Sequence, residues 1–217
     1  MNDATVHYGF LEAYNAVKYK IFTAIEALIA KYPGKPVLVT GHSLGGALAV
    51  LSALDVKKHM LPTGMVALYT LGQPRVGDPT FSDYVYTHFP ANFVRITHYD
   101  DTIVHMAPRS TGFKHSGNEV WYESKDHDGM FTECPNYVNR EENKDCSSSL
   151  WVKLGVAAHT KYMGQEIGRI CTASHPTGTL AHTMLDYEDE FIMLQASQQL
   201  FLKAAINKAS AKSQIIE

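Results

Sequence analysis

Gly41-His42-Ser43-Leu44-Gly45 fits the pattern G-x-S-x-G, in which a serine at the apex of a sharp strand-to-helix turn serves as a nucleophile. The flanking residues supply the context the pattern needs. Pro36-Val37-Leu38-Val39-Thr40 reads as a short buried strand closed by Gly41, and the Ala- and Leu-rich run Leu44 through Leu54 reads as a buried helix. Such a turn strains the serine backbone, so glycine is expected at 41 and 45 to avoid Cβ clashes. The Leu44 N–H, at the helix start, is the expected donor to a developing oxyanion. The plainer alternative is a glycine-rich turn around a buried serine. The strand before and the helix after favour the nucleophile.

A nucleophilic serine needs a base, and the base needs an orienting carboxylate. In α/β-hydrolases these follow in the order Ser, Asp or Glu, His, with the acid after a later strand. The strand Phe93–His98 runs into Tyr99-Asp100-Asp101, and either aspartate could serve. The histidine candidates are His105, His115, His127, His159, His175 and His182. Spacing alone does not choose among them.

The elements around these residues alternate. Phe10, Tyr14, Val17, Ile21, Ile25 and Leu28 recur at helical spacing, predicting an amphipathic helix over about 8–32 that Pro33-Gly34 ends. Further strands are expected at Met65–Leu71, Phe93–His98 and, within a hairpin, Glu119–Tyr122, with a short helix or turn over Phe81–His88. Alternating strands and helices imply an α/β fold, with a parallel or mostly parallel central sheet covered by helices on both faces.

Composition narrows the function. The 217 residues are 45% hydrophobic and 19% charged, with net charge -3 and a sequence pI of about 6.4, as for an ordinary globular chain. No basic patch or stripe points to a nucleic-acid partner. No apolar run approaches the roughly 18 residues of a transmembrane helix. No HExxH, EF-hand or phosphate-loop motif implies a metal or nucleotide. The polar start Met1-Asn2-Asp3-Ala4-Thr5 lacks a signal peptide's charged and apolar regions. Cys134 and Cys146 flank a polar segment and would suit a surface loop closed by a disulfide; the alternative is two free thiols.

The motifs, taken in order, resemble those of the fungal-type class 3 lipases, a family of triacylglycerol lipases. Gly41-His42-Ser43-Leu44-Gly45-Gly46-Ala47-Leu48-Ala49 matches the family's GHSLGGALA elbow. Val6-His7-Tyr8-Gly9-Phe10, Tyr69-Thr70-Leu71-Gly72-Gln73-Pro74-Arg75-Val76-Gly77 and His115-Ser116-Gly117-Asn118-Glu119-Val120-Trp121-Tyr122 are similar to its V-H-x-G-F, Y-T-F-G-Q-P-R-V-G and H-x-G-x-E-V-W-Y. In the segment resembling Arg95–His105, the family carries a histidine four residues after its catalytic aspartate; His105 lies four after Asp101, which implies Asp101. Cys146-Ser147-Ser148-Ser149-Leu150 followed by His159-Thr160-Lys161-Tyr162 is similar to C-S-x-S-L…D-H-x-x-Y, which implies His159. The resemblance covers about residues 6–171.

The resemblance therefore implies an α/β-hydrolase that cleaves carboxylic esters, acylglycerols foremost. Ser43, Asp101 and His159 would be its triad, Leu44 its oxyanion donor, and it would use no cofactor. It also implies a lipid ester substrate, transient contact with a lipid interface, and secretion. His98 and His105 would then be structural, Asp100 a solvated neighbour or a loop cap, Trp121 and Tyr122 packed strand residues, His42 a packed neighbour of the elbow, Asp78 a helix cap, and His175 and His182 solvated.

This chain departs from the family's pattern in three ways. The family's earlier strands, second oxyanion donor and lid precede Val6, so a fragment with exposed apolar sheet surface is expected. Cys171 lacks the N-terminal cysteine it would pair with. Ala158 replaces the aspartate often found before the histidine. The expected organisation is a hydrolase domain over 1–171 and a loop-and-helix extension over 172–217. The rival functions are an inactive remnant that binds lipid weakly, or a phospholipase or short-chain esterase.

Overall fold

The computed structural model describes residues 3–125, 129–134, 142–150 and 155–167. Cys171, the extension 172–217 and His127, His175 and His182 lie outside the described residues. Helix α1 spans Tyr8–Lys31, and Pro33, which has no N–H to donate, follows its end. Strand β1 spans Val37–His42, helix α2 Leu44–Asp55, β2 Val66–Leu71, α3 Pro79–His88, β3 Phe93–His98, β4 Asn118–Tyr122 and β5 Thr132–Cys134. A one-turn helix α4, Val156–His159, leads into the small hairpin of β6, Lys161–Tyr162, and β7, Gln165–Glu166.

The five larger strands form one sheet in the order β1-β2-β3-β4-β5. Strands β1 to β4 are parallel and β5 is antiparallel to β4. The sheet is thus mostly parallel and flanked by helices, as the sequence implies. Two elements differ in their bounds by more than one residue. Strand β1 runs through Gly41, which pairs with Thr70, to His42, which pairs with Leu71. Phe81–His88 belongs to a longer helix, which Asp78 caps by accepting from the Phe81 N–H at 2.8 Å. Strand β4 pairs on both sides and joins the hairpin to the parallel sheet.

Helix α2 carries the core. Ala47, Val50, Leu51 and Leu54 are buried with Val66 and Leu68 of β2 and Phe93 of β3. Helix α1 lies outside α2 and is tied to it by the Tyr14 hydroxyl and the Lys18 ammonium, both on the buried Asp55 carboxylate at 2.8 Å. The other face of β1 and β2 differs from the expected two-sided cover: Leu38 is 63% and Tyr69 43% exposed. The continuous apolar run of β1 resembles a strand buried on both faces, but among the described residues it alternates, with Leu38 and Thr40 exposed. Cys134 and Cys146 form a disulfide beside the buried Trp121, so the free-thiol alternative is set aside. No described helix is long and apolar enough to cross a membrane.

The glycine requirement at the elbow falls on one of the two motif positions, not on both. A Cβ on Gly41 would lie 2.1 Å from the Gly45 carbonyl oxygen and 2.7 Å from the Gly46 nitrogen, whereas a Cβ on Gly45 would meet nothing within 4 Å. The backbone at 45 is the obstacle, and the residue that must yield is 41. Gly46 is also tight, with Gln73 Cβ at 3.0 Å. Gly41→Ala is therefore expected to destabilise the fold by about 4 kcal/mol or more. Gly45→Ala should stay within about 1 kcal/mol of the parent, because alanine is also the better helix former. Urea unfolding midpoints of the two variants test the difference.

Candidate active site

Three parallel strands deliver their ends to one rim of the sheet. Ser43 follows β1, Gly72 follows β2, and Asp101 follows β3. This is the rim at which open α/β sheets present ligand-binding groups.

Ser43 adopts φ 56°, ψ -128°, a conformation that costs a non-glycine residue about 1–3 kcal/mol. Its N–H donates to the Leu71 carbonyl at 2.9 Å, and its own carbonyl accepts from the Gly46 N–H at 2.9 Å. The side chain makes no cap hydrogen bond to α2. Leu44 is the first residue of that helix, where no carbonyl one turn earlier can accept its N–H. A strained serine thus stands next to an amide free to meet an anion.

His159, at the end of α4, is brought to this rim with its Nδ1 2.8 Å from Asp101 Oδ2. A carboxylate only accepts, so Nδ1 carries a proton, and in the neutral ring Nε2 then presents its lone pair. Nε2 is buried and has no hydrogen-bond partner, and no hydrogen bond joins it to Ser43. Asp101 is 1% exposed and is held by two further donors. The Ile103 N–H reaches Oδ1 at 2.8 Å, and the Tyr162 hydroxyl donates to Oδ2. Burial, then the Asp101 charge, push the Tyr162 phenol well above its ordinary value, so it stays a donor. Asp100 has none of these contacts: its carbonyl accepts from the Gly155 N–H, and its side chain packs on Gly155. Of the two adjacent aspartates, only Asp101 faces the imidazole.

Gly72 makes room for that imidazole. At φ +58° it is in the left-handed region, and a Cβ there would lie 2.9 Å from both His159 Cε1 and the Tyr162 hydroxyl. The sequence placed Gly72 and Tyr162 in motifs but gave neither a role. The H-x-x-Y spacing was the available signal for Tyr162.

Other described histidines, the candidate His115 among them, bond backbone carbonyls. His115 Nε2 donates to the Val104 carbonyl at 2.8 Å, and burial drives its imidazole well below the ordinary value. His42 and His98 bond the carbonyls of His159 and Ala158. Arg75, from the Q-P-R-V-G motif, forks onto Glu142 with both contacts at 2.7 Å and so ties the 142–150 segment to the sheet.

Burial also holds the imidazoles of His7 and His42 at about 4, below the ordinary 6.5. The unfolded chain therefore binds more protons than the native one between roughly pH 6.5 and 4, and stability falls as pH drops through that window. Each group contributes at most about 1.4 kcal/mol per pH unit. Urea midpoints are expected to decline from pH 7 to 4.5, and less steeply in His42→Gln.

A profile of the class 3 lipase family matches residues 1–111. The chain is 38% identical to a lipase of Rhizomucor miehei over 170 residues, which make up 77% of this chain and 45% of that one. It is 38% identical over 127 residues to the secreted mono- and diacylglycerol lipase 1 of Fusarium solani, covering 58% of this chain and 37% of that one. It superposes with TM-score 0.69 on a triacylglycerol lipase whose catalytic centre is described as a serine-protease triad, at 34% identity, covering 77% of this chain and 62% of that one. The chain thus spans less than half the length of these curated relatives.

Proposed function

Because the chain belongs to the class 3 lipase family, we propose that it is a serine hydrolase of carboxylic esters, with acylglycerols as substrates and Ser43, Asp101 and His159 as its triad. The observation that carries this reading is the buried Asp101–His159 pair, whose unpartnered Nε2 sits at the rim that holds the strained Ser43. Ser43 Oγ attacks the ester carbonyl while Nε2 takes its proton. The tetrahedral oxyanion receives the Leu44 N–H. The intermediate collapses, His159 returns the proton to the leaving alcohol, and an acyl-serine remains. Water, activated by the same nitrogen, then releases the fatty acid. The serine–histidine contact is one that commonly tightens only with substrate bound.

Residues 1–171 form the hydrolase domain in this reading, and 172–217 an extension of it. The substrate class follows the relatives, among them a secreted mono- and diacylglycerol lipase. Secretion fits that name and the Cys134–Cys146 disulfide, which belongs to an oxidising compartment. A lipase of this kind meets its substrate at a lipid–water interface.

The test is fatty-acid release from emulsified triacylglycerol, diacylglycerol and phosphatidylcholine, and from a soluble p-nitrophenyl ester, with Ser43→Ala as control. Release from acylglycerols at or above the other rates supports the proposal. Preferential release from phosphatidylcholine, or from the short ester alone, would move the substrate class. Binding to the emulsion with no release by the folded chain would overturn the enzyme.

A further inference from the structure

Helix α4 has only four residues, Val156–His159. Thr160 gives it two local contacts, its N–H on the Ala158 carbonyl and its hydroxyl on the Ala157 carbonyl, but a helix this short cannot fix its own position. Yet it carries the imidazole on which the proposed chemistry turns. Its last two carbonyls are each met by a histidine from a different strand end. His42 Nε2, at the end of β1, lies 2.8 Å from the His159 carbonyl oxygen. His98 Nδ1, at the end of β3, lies 2.9 Å from the Ala158 carbonyl oxygen. Carbonyl oxygens only accept, so both ring nitrogens are donors. Burial keeps His42 neutral in the physiological range.

The two rings also pack against the site's aromatic side chains. The His42 ring lies against that of His159, with centroids 4.4 Å apart and planes tilted by 31°. Tyr162, the donor to Asp101, has the ring centroids of His42 at 5.6 Å and of His98 at 5.9 Å, both edge-on. The other nitrogen of His98 lies 3.1 Å from the Ser124 carbonyl oxygen; a neutral ring has one N–H and donates to only one of the two carbonyls, and the Ala158 contact is the shorter.

We propose that His42 and His98 are positioning residues, a pair of imidazole clamps that hold the consecutive carbonyls of Ala158 and His159 and so set where the His159 ring stands between Asp101 and Ser43. The proposal deepens the hydrolase reading and rests on it for its catalytic consequence. Its geometric content does not depend on ester turnover. The clamps act through N–H donation, so a side chain with a donor at the same place should replace them. Glutamine places an amide nitrogen near a histidine's Nε2, and asparagine places one near its Nδ1.

The experiment compares the full chain with His42→Phe, His42→Gln, His98→Phe and His98→Asn. The first readout is the low-field Nδ1–H proton resonance of His159, assigned by its loss in His159→Gln. The second is kcat and KM on a soluble p-nitrophenyl ester. The resonance should be present in the parent, His42→Gln and His98→Asn, and broadened or lost in both phenylalanine variants. The phenylalanine variants should lose about 10–100-fold in kcat with little change in KM, since displacing a reacting group by about an ångström has that effect. The amide variants should recover most of it.

An unchanged resonance in folded His42→Phe would overturn the His42 clamp. Failure of His98→Asn to keep the resonance in a folded protein would overturn the His98 clamp. If the resonances follow the expected pattern but the parent hydrolyses no ester, the clamps stand and the hydrolase reading falls.

Discussion

Ser43→Ala is expected to lower kcat for ester hydrolysis by roughly 10⁵–10⁶-fold, the range seen when the nucleophile of a well-studied serine hydrolase is removed. The loss should leave the fold intact. Alanine keeps the Cβ, so the strained backbone at φ 56° and its bonds to Leu71 and Gly46 persist. Ser43→Gly should abolish activity equally while relieving the left-handed strain, giving a protein more stable than Ser43→Ala by about 1 kcal/mol. A turn that costs stability to present one oxygen is a mark of a functional site, and the glycine variant separates the two properties. Rates on a p-nitrophenyl ester and urea midpoints on the same preparations provide the check. A Ser43→Ala protein retaining more than a tenth of the parent rate would remove Ser43 from the mechanism.

Asp101→Asn is expected to lower kcat by about 10⁴-fold, as the equivalent change does in a well-studied serine protease. The cause is the tautomer. The carboxylate accepts from His159 Nδ1 at 2.8 Å, from Ile103 N and from the Tyr162 hydroxyl. An asparagine whose oxygen takes the Ile103 N–H turns its NH₂ to the place where the carboxylate accepts from both Tyr162 and His159. With the NH₂ facing His159, the ring proton moves to Nε2, which can no longer accept from Ser43. The neighbouring Asp100→Asn should stay within a few-fold of the parent, because Asp100 meets Gly155 and not the imidazole. Steady-state rates on one soluble ester compare the two, and equal losses would contradict the assignment.

The elements were legible because their cues are local. The β-branched runs, the Ala-rich helix and the Pro33-Gly34 break each sit within a short window, and β3 falls on the expected residues Phe93–His98. Ser43 was equally legible, since strand, turn and helix are contiguous. Asp101 and His159 were not. They are 58 residues apart, and spacing left two aspartates and six histidines open until motif resemblance chose between them.

The supporting residues were harder still. Gly72 looks like a turn glycine until β2 places it under His159. His42 and the His159 carbonyl are 117 residues apart, and only the parallel register that aligns the ends of β1, β2 and β3 reveals that they meet. The elbow glycines were misassigned because the motif marks 41 and 45 alike, whereas the close approach is between a Cβ at 41 and the backbone at 45. Cover on both faces was expected from the alternation of strands and helices, a pattern that cannot say which elements lie over Leu38 and Tyr69.

The most direct test of the central claim is reaction of the full chain with a fluorophosphonate, followed by proteolysis and mass spectrometry of the peptides. A triad whose Nε2 serves Ser43 predicts one stoichiometric adduct, on Ser43, absent in Ser43→Ala and formed far more slowly in Asp101→Asn. A folded protein that takes no adduct, or takes it on another residue, would contradict the account.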